Sequence, residues 1–115
     1  MGSIMIRHGM AIGLRAEKIK EYKKLHAAVW PSVLSVIQKC NIRNYSIYLQ
    51  KLGRDYYLFS YFEYIGKNFK ADMAKMAADP ETQRWWARCI PCQKPLKNRK
   101  KGEWWANMEE VFYMK

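Results

Sequence analysis

Ile42-Arg43-Asn44-Tyr45-Ser46-Ile47-Tyr48-Leu49-Gln50-Lys51-Leu52-Gly53-Arg54-Asp55-Tyr56-Tyr57-Leu58-Phe59-Ser60-Tyr61-Phe62-Glu63-Tyr64 is the stretch on which the fold turns. Ile42 to Gln50 sets Asn44, Ser46 and Tyr48 against Tyr45, Ile47 and Leu49, the period-two alternation of a strand whose faces differ. Lys51 to Asp55 contains Gly53 and polar neighbours and predicts a turn. Tyr56 to Tyr64, rich in aromatic residues, predicts a second strand. The two form a β-hairpin at mid-chain.

Upstream, Ile4 to Ile12 is short, apolar and partly β-branched, which predicts a first strand ending in a turn at Gly13. Ala16 to about Val29 carries an apolar stripe at helical spacing. Pro31 cannot continue that helix normally but suits the first turn of another, so Pro31 to Lys39 reads as a kinked continuation. Downstream, Asn68 to Ala78 predicts a helix with Phe69, Met73 and Met76 on one face. Asp79-Pro80 supplies a cap and a first-turn proline for a further helix to about Ile90. Pro91 to Gly102 reads as a loop, and Trp104 to Met114 alternates as a closing strand. The order is strand, helix, strand, strand, helix, strand. It predicts a single α+β domain over residues 1–115 with the ferredoxin-like βαββαβ pattern, helices covering one face of an antiparallel sheet. The other face would be buried by pairing two sheets in a dimer or by closing over a ligand.

At 115 residues, half of them hydrophobic, the chain is long enough for a core without disulfides. No apolar run approaches the roughly 18 to 20 residues of a membrane span. Met1-Gly2-Ser3-Ile4-Met5 has no long apolar region and no cleavage site, so no signal peptide is expected. Met5 reads as the native start, and the location as cytoplasmic. The net charge of +11 raises the question of an anionic partner. The lysines, however, are spread along helix faces (Lys18, Lys20, Lys23, Lys24), with one cluster from Lys94 to Lys101 in the loop. Neither pattern is a nucleic-acid consensus, and no nucleic-acid partner is expected. Cys89-Ile90-Pro91-Cys92 has the spacing of a redox or zinc half-site, but it closes a helix instead of opening one, and only His8, His26 and Cys40 could complete a metal set. With Cys40 the count is odd, so reduced thiols are expected and no metal.

Tyr22 and His26 stand four apart, which on a helix points a phenol and an imidazole the same way. Ile19, Val29 and Trp30 extend their stripe, so the pair should look inward. A lone histidine on an apolar stripe is more often a hydrogen-bonded core residue. An imidazole among aromatic rings equally suits proton transfer on a small polar ring. Trp85 and Trp86, adjacent on a helix, point about 100° apart and cannot share one core stripe. They are platforms for a sugar's C–H faces or core contacts. Tyr45 would come beside the Tyr22–His26 helix only if the predicted fold holds. Glu109 and Glu110 point to opposite faces of the last strand, so at most one could face a cleft. No phosphate loop, serine-nucleophile motif or His-Glu-x-x-His motif is present.

Taken together, Glu21-Tyr22 with His26 and Trp30-Pro31, Asn44 to Leu49, Gln83-Arg84-Trp85-Trp86, and Glu110-Val111-Phe112-Tyr113 resemble the L-rhamnose mutarotase family over nearly the whole chain. The resemblance implies a ferredoxin-like α+β subunit, a homodimer with dimeric α+β barrel-type packing of its sheets, and no cofactor. It also implies a small monosaccharide whose α and β anomers interconvert by ring opening. The family's proton-donating histidine falls on His26, which would protonate the ring oxygen while water or a carboxylate acts as base. Its sugar-contacting tyrosines fall on Tyr22 and Tyr45, and its tandem tryptophans on Trp85 and Trp86. The loop from Lys94 to Trp105 is longer, more basic and richer in tryptophan than in the rhamnose enzymes. Phe59 to Met73 also carries an extra stretch. L-fucose or another 6-deoxy sugar is therefore the alternative substrate. A small ferredoxin-like monooxygenase with a helix histidine is the alternative outside sugar chemistry.

Overall fold

The hairpin forms one side of the sheet, with its first strand at the edge. The computed structural model describes residues 5–115, so the predicted strand start at Ile4 falls outside them. The chain runs β1 (Ile6–Leu14), a 3₁₀ turn (Ala16–Lys18), α1 (Ile19–Ala27), α2 (Pro31–Lys39), β2 (Ile42–Leu52), β3 (Asp55–Tyr64), α3 (Phe69–Ala78), α4 (Pro80–Cys89), a second 3₁₀ turn (Ile90–Cys92), β4 (Gln93–Lys94) and β5 (Ala106–Met108). It is an α+β fold on an antiparallel sheet.

Local chemistry explains most boundaries. Trp30 is extended (φ −60°, ψ 132°) and Pro31 starts α2, so α1 and α2 are separate helices and not one kinked rod. Asn41, just past α2, takes φ 67°, a left-handed position that asparagine tolerates at helix ends. Asn68 Oδ1 accepts from Ala71 N–H at 3.0 Å and caps α3, while Asp79 Oδ2 accepts from Thr82 N–H at 2.8 Å and caps α4. Leu52 pairs with Asp55, leaving Gly53 (φ 66°) and Arg54 as the hairpin tip.

β3 lies between β2 and β1, and β1's other edge is filled by β4 and β5. Gly13 and Leu14 pair with Lys94 and Gln93, while Gly9, Met10 and Ala11 pair with Met108, Asn107 and Ala106. Three expectations are corrected here. Gly13 lies within β1 and does not turn the chain. Pro91 to Gly102 is not all loop, because Gln93–Lys94 is a strand. The closing strand is only Ala106–Met108, not Trp104 to Met114, so the edge position beside β1 is shared by two short pieces.

The helices cover one face of the sheet. Ile12, Leu14 and Leu58 pack with Tyr22, Val33, Trp85, Cys89 and Cys92 in one buried cluster. Ile42 and Phe62 pack with Cys40 and Met76 in a second. On the opposite face Tyr48 is 64% exposed, beside half-buried Tyr57, Phe59 and Tyr61. No helix among the described residues is long and apolar enough to cross a membrane.

Candidate functional site

One helical turn separates Tyr22 from His26, and their rings stack at 4.1 Å with 25° between planes. The edge of Trp85 meets the imidazole at 5.3 Å, and Trp30 meets Trp85 at 5.2 Å. Tyr22 and Trp85 are buried and His26 is half-buried. His26 Nδ1 lies 2.9 Å from the Tyr22 carbonyl oxygen. A carbonyl only accepts, so Nδ1 carries the hydrogen, and the neutral ring presents Nε2 as a bare acceptor. Burial lowers the His26 pKa below its ordinary value, opposed by the hydrogen bond to Tyr22, which favours the charged form. The resting imidazole at neutral pH is therefore uncharged and takes a proton before it gives one.

Tyr45 reaches this cluster from β2, whose pairing is irregular just there. The pairing Arg43↔Glu63 is followed by Ser46↔Tyr61, so a bulge holds Asn44 and Tyr45. Asn44 takes φ 51° and donates from Nδ2 to Glu63 Oε1 at 2.7 Å. Alternation back from Ile47 and Leu49 turns Tyr45 toward the helices, and the extra residue lets buried Ile42 share that face. There its ring lies 5.4 Å from Phe62. Part of the ring remains exposed while the hydroxyl is desolvated, and that burial, with the nearby Cys89 thiol, raises the phenol to about 12. Burial also raises the Tyr22 phenol, which the Tyr45 hydroxyl and the Cys89 and Cys92 thiols push in the same direction. Tyr22, Tyr45, His26 and Trp85 thus converge. Trp86 diverges from Trp85, as adjacent helical residues must, and packs half-buried against both core clusters.

Two residues that sequence reasoning did not single out complete the surroundings. Gln93 is buried and donates from Nε2 to the Tyr22 hydroxyl at 3.2 Å; its Oε1 accepts from the Trp104 indole at 2.7 Å. Gln93 sits in what reads as a loop, and no periodicity marks it. The bulge did leave a signal, an asparagine inside a strand pattern, which is a residue that tolerates left-handed backbone. Glu110 stands away from the cluster, bound to Arg7 at 2.7 and 3.0 Å, and Glu109 is exposed. Cys40, Cys89 and Cys92 are free thiols and buried, with Cys92 contacting Glu21 Oε2 at 3.7 Å. Among the described residues, His8 Nε2 and Ser60 Oγ are buried without a partner. Two surface depressions, one of about 310 Å³ lined by Glu21, Lys24, Leu25, Ala28 and Arg88 and one of about 420 Å³ around Asn41 and Asp72, contain neither Tyr22 nor His26. The chemistry rests on the aromatic cluster, where an unprotonated imidazole nitrogen and two phenols meet, and not on the depressions.

Fold and cluster define a small α+β protein whose helix layer sets one imidazole among phenols and indoles. The sequence pattern of the L-rhamnose mutarotase family matches residues 7–114, and the chain belongs to that family. An L-rhamnose mutarotase of Oceanobacillus iheyensis is 31% identical over 110 residues, spanning 96% of this chain and 99% of that protein. One from Bacillus subtilis is 30% identical over 111 residues, with the same two shares. A crystal structure of an L-rhamnose mutarotase from Formosa agariphila shares the fold, with a TM-score of 0.69 at 19% identity over 96% of this chain and 99% of that one.

Proposed function

We propose that this protein interconverts the α and β anomers of L-rhamnose, with His26 moving the proton and Tyr22, Tyr45, Trp85 and Trp86 contacting the sugar. The observation that carries the reading is the imidazole with Nδ1 tied to the Tyr22 carbonyl and Nε2 left as acceptor. Opening a cyclic hemiacetal is a net transfer of one proton. The anomeric hydroxyl gives its proton to Nε2, the bond from C1 to the ring oxygen breaks with its electron pair going to that oxygen, and Nε2 returns the proton there. Rotation about the terminal C–C bond and the reverse steps on the other face of C1 give the other anomer. One group serves as base and then acid, so no carboxylate is needed beside it. The acid role expected from sequence becomes the second half of the exchange. A positioned proton-transfer group of this kind is worth about 10²- to 10⁴-fold.

The reading includes a single domain over residues 1–115 in the cytoplasm, with ferredoxin-like connectivity in which β4 and β5 together act as the fourth strand. It also includes a homodimer formed through the aromatic outer face of the sheet. Saturation-transfer NMR on the anomeric protons of L-rhamnose and L-fucose tests activity and sugar choice together. Faster exchange of L-rhamnose with the protein, lost in a folded His26→Ala variant, is the expected result. A preference for L-fucose would move the substrate to another 6-deoxy sugar, a choice on which the Trp104-bearing loop bears directly. Undiminished exchange in the variant would remove His26 from the chemistry.

A further inference from the structure

We propose that Gln93 and Trp104 are positioning residues that fix the direction of the Tyr22 hydroxyl, so that its proton is offered to the sugar's ring oxygen. The inference rests on the anomer-exchange reading and deepens it. An indole N–H is a donor with no acceptor capacity. Trp104 Nε1 lies 2.7 Å from one terminal atom of the Gln93 amide, so chemistry alone makes that atom the oxygen. The other atom, 3.2 Å from the Tyr22 hydroxyl, is then the NH₂, which cannot accept. Tyr22's oxygen must accept from it, and the phenol's single proton must point elsewhere. Gln93 and Tyr22 are 5% and 4% exposed, so water does not compete for the bond between them.

The amide is held in place by backbone. Gln93 pairs with Leu14 across the β1–β4 ladder, and Arg15 N–H donates to the Cys92 carbonyl at 2.8 Å just before it. Trp104 closes from the far side, its ring 5.8 Å from the Arg99 guanidinium. The result is one obligatory donor, Tyr22 O–H, stacked on the residue that supplies one obligatory acceptor, His26 Nε2. A cyclic hemiacetal presents the complement at C1, a ring oxygen that only accepts and an anomeric hydroxyl that can donate. Tyr22 donates to the ring oxygen as negative charge develops there, and His26 takes the anomeric proton.

Gln93→Glu reverses the relay without changing its shape. As a carboxylate the new side chain accepts from both Trp104 and Tyr22, turning the phenol proton inward. Above the pKa of the introduced carboxyl, kcat for L-rhamnose exchange should fall roughly 10²-fold, the size of one lost donor to a developing oxyanion, with KM little changed. On acidification the carboxyl protonates, donates to Tyr22 as the amide did, and kcat should rise, opposite to the wild type. Trp104→Phe frees the amide to rotate and should lower exchange about 3- to 10-fold. In a Tyr22→Phe background Gln93→Glu should cost nothing further. A wild-type rate in Gln93→Glu at every pH, or an undiminished effect in the Tyr22→Phe background, overturns the proposal. If Gln93→Glu does not fold, Trp104→Phe decides, and an unchanged rate there overturns the proposal. The Trp104 indole ¹H–¹⁵N resonance reports the relay without any sugar. It should shift in Gln93→Leu, and a fixed resonance would show that no relay exists. Absence of exchange in the wild type would instead remove the anomer reading, and the proposal with it, whatever the indole reports.

Discussion

At the residue scale, the two described histidines are both held uncharged by burial, and they do different things. His26 has a use for its lone pair. His8 stacks against Phe62 at 4.9 Å and Phe69 at 4.5 Å with Nε2 buried and unpartnered. For His26, a neutral resting form means that exchange declines as pH falls through its lowered pKa, by about tenfold per pH unit below it. NMR exchange rates across pH 4.5 to 8 check this, and a rate that rises toward acid would make the imidazolium the working form. For His8 the consequence is stability. Its folded pKa is lowered from 6.5 by burial, so the unfolded chain binds the proton more readily. Stability is then fully present above 6.5 and declines as pH falls from there through the lowered folded value. His8→Leu should flatten part of that dependence, read as the urea midpoint at acid and neutral pH; an unchanged slope would show that His8 does not contribute.

At the element scale, the site depends on short pieces whose geometry is narrowly set. Asp79 caps α4 through both the Thr82 N–H at 2.8 Å and the Thr82 hydroxyl at 3.0 Å, and α4 carries Trp85. Asp79→Ala should cost about 1 kcal/mol in chemical denaturation, the usual size of a lost cap. A cost near zero would mean that tertiary packing alone holds this end of the helix. β4 is shorter and more sensitive. A Cβ at Gly13 would stand 2.6 Å from the Lys94 carbonyl oxygen, a backbone atom that cannot swing aside. Gly13→Ala should push β4 off β1, displace Gln93 beside it, and lower anomer exchange more than it lowers thermal stability. An equal loss of both would mean that the strand merely supports the core.

At the scale of the whole molecule, the outer sheet face and the C-terminal arm are unfinished surfaces. The Cα radius of gyration is 14.7 Å, against about 13 Å for a compact chain of this length. Arg7 holds the base of this arm, pairing with Glu110 and lying 3.3 Å over the Tyr113 ring. Between and beyond these two contacts Val111, Phe112 and Met114 are 88%, 78% and 78% exposed. In the proposed dimer this surface and the Tyr48 face are covered by a second copy. Tyr48→Glu should shift the sedimentation coefficient from dimer to monomer, while a monomeric wild type would remove the dimer from the reading.

The sequence by itself determined what is local. The spacing of Tyr22 and His26 dictates their stack, Asp79-Pro80 dictates a helix start, and alternation around Gly53 dictates the hairpin, because each depends on neighbours within a few residues. Four motifs in order were enough to place the chain in its family. Only the tertiary structure decided the rest. The bulge at Asn44 shifts register by one residue, which puts Ile42 on the same inner face as Tyr45, Ile47 and Leu49, and strict alternation conceals such a shift. The division of the last strand into β4 and β5 depends on which part of the chain reaches β1's free edge. Gln93 and Tyr22 are 71 positions apart, and the hydrogen bond between them exists only after the sheet edge, α1 and the tryptophan loop have closed together. Direction in a hydrogen-bond relay is a property of three side chains meeting, and no periodicity in the chain encodes it.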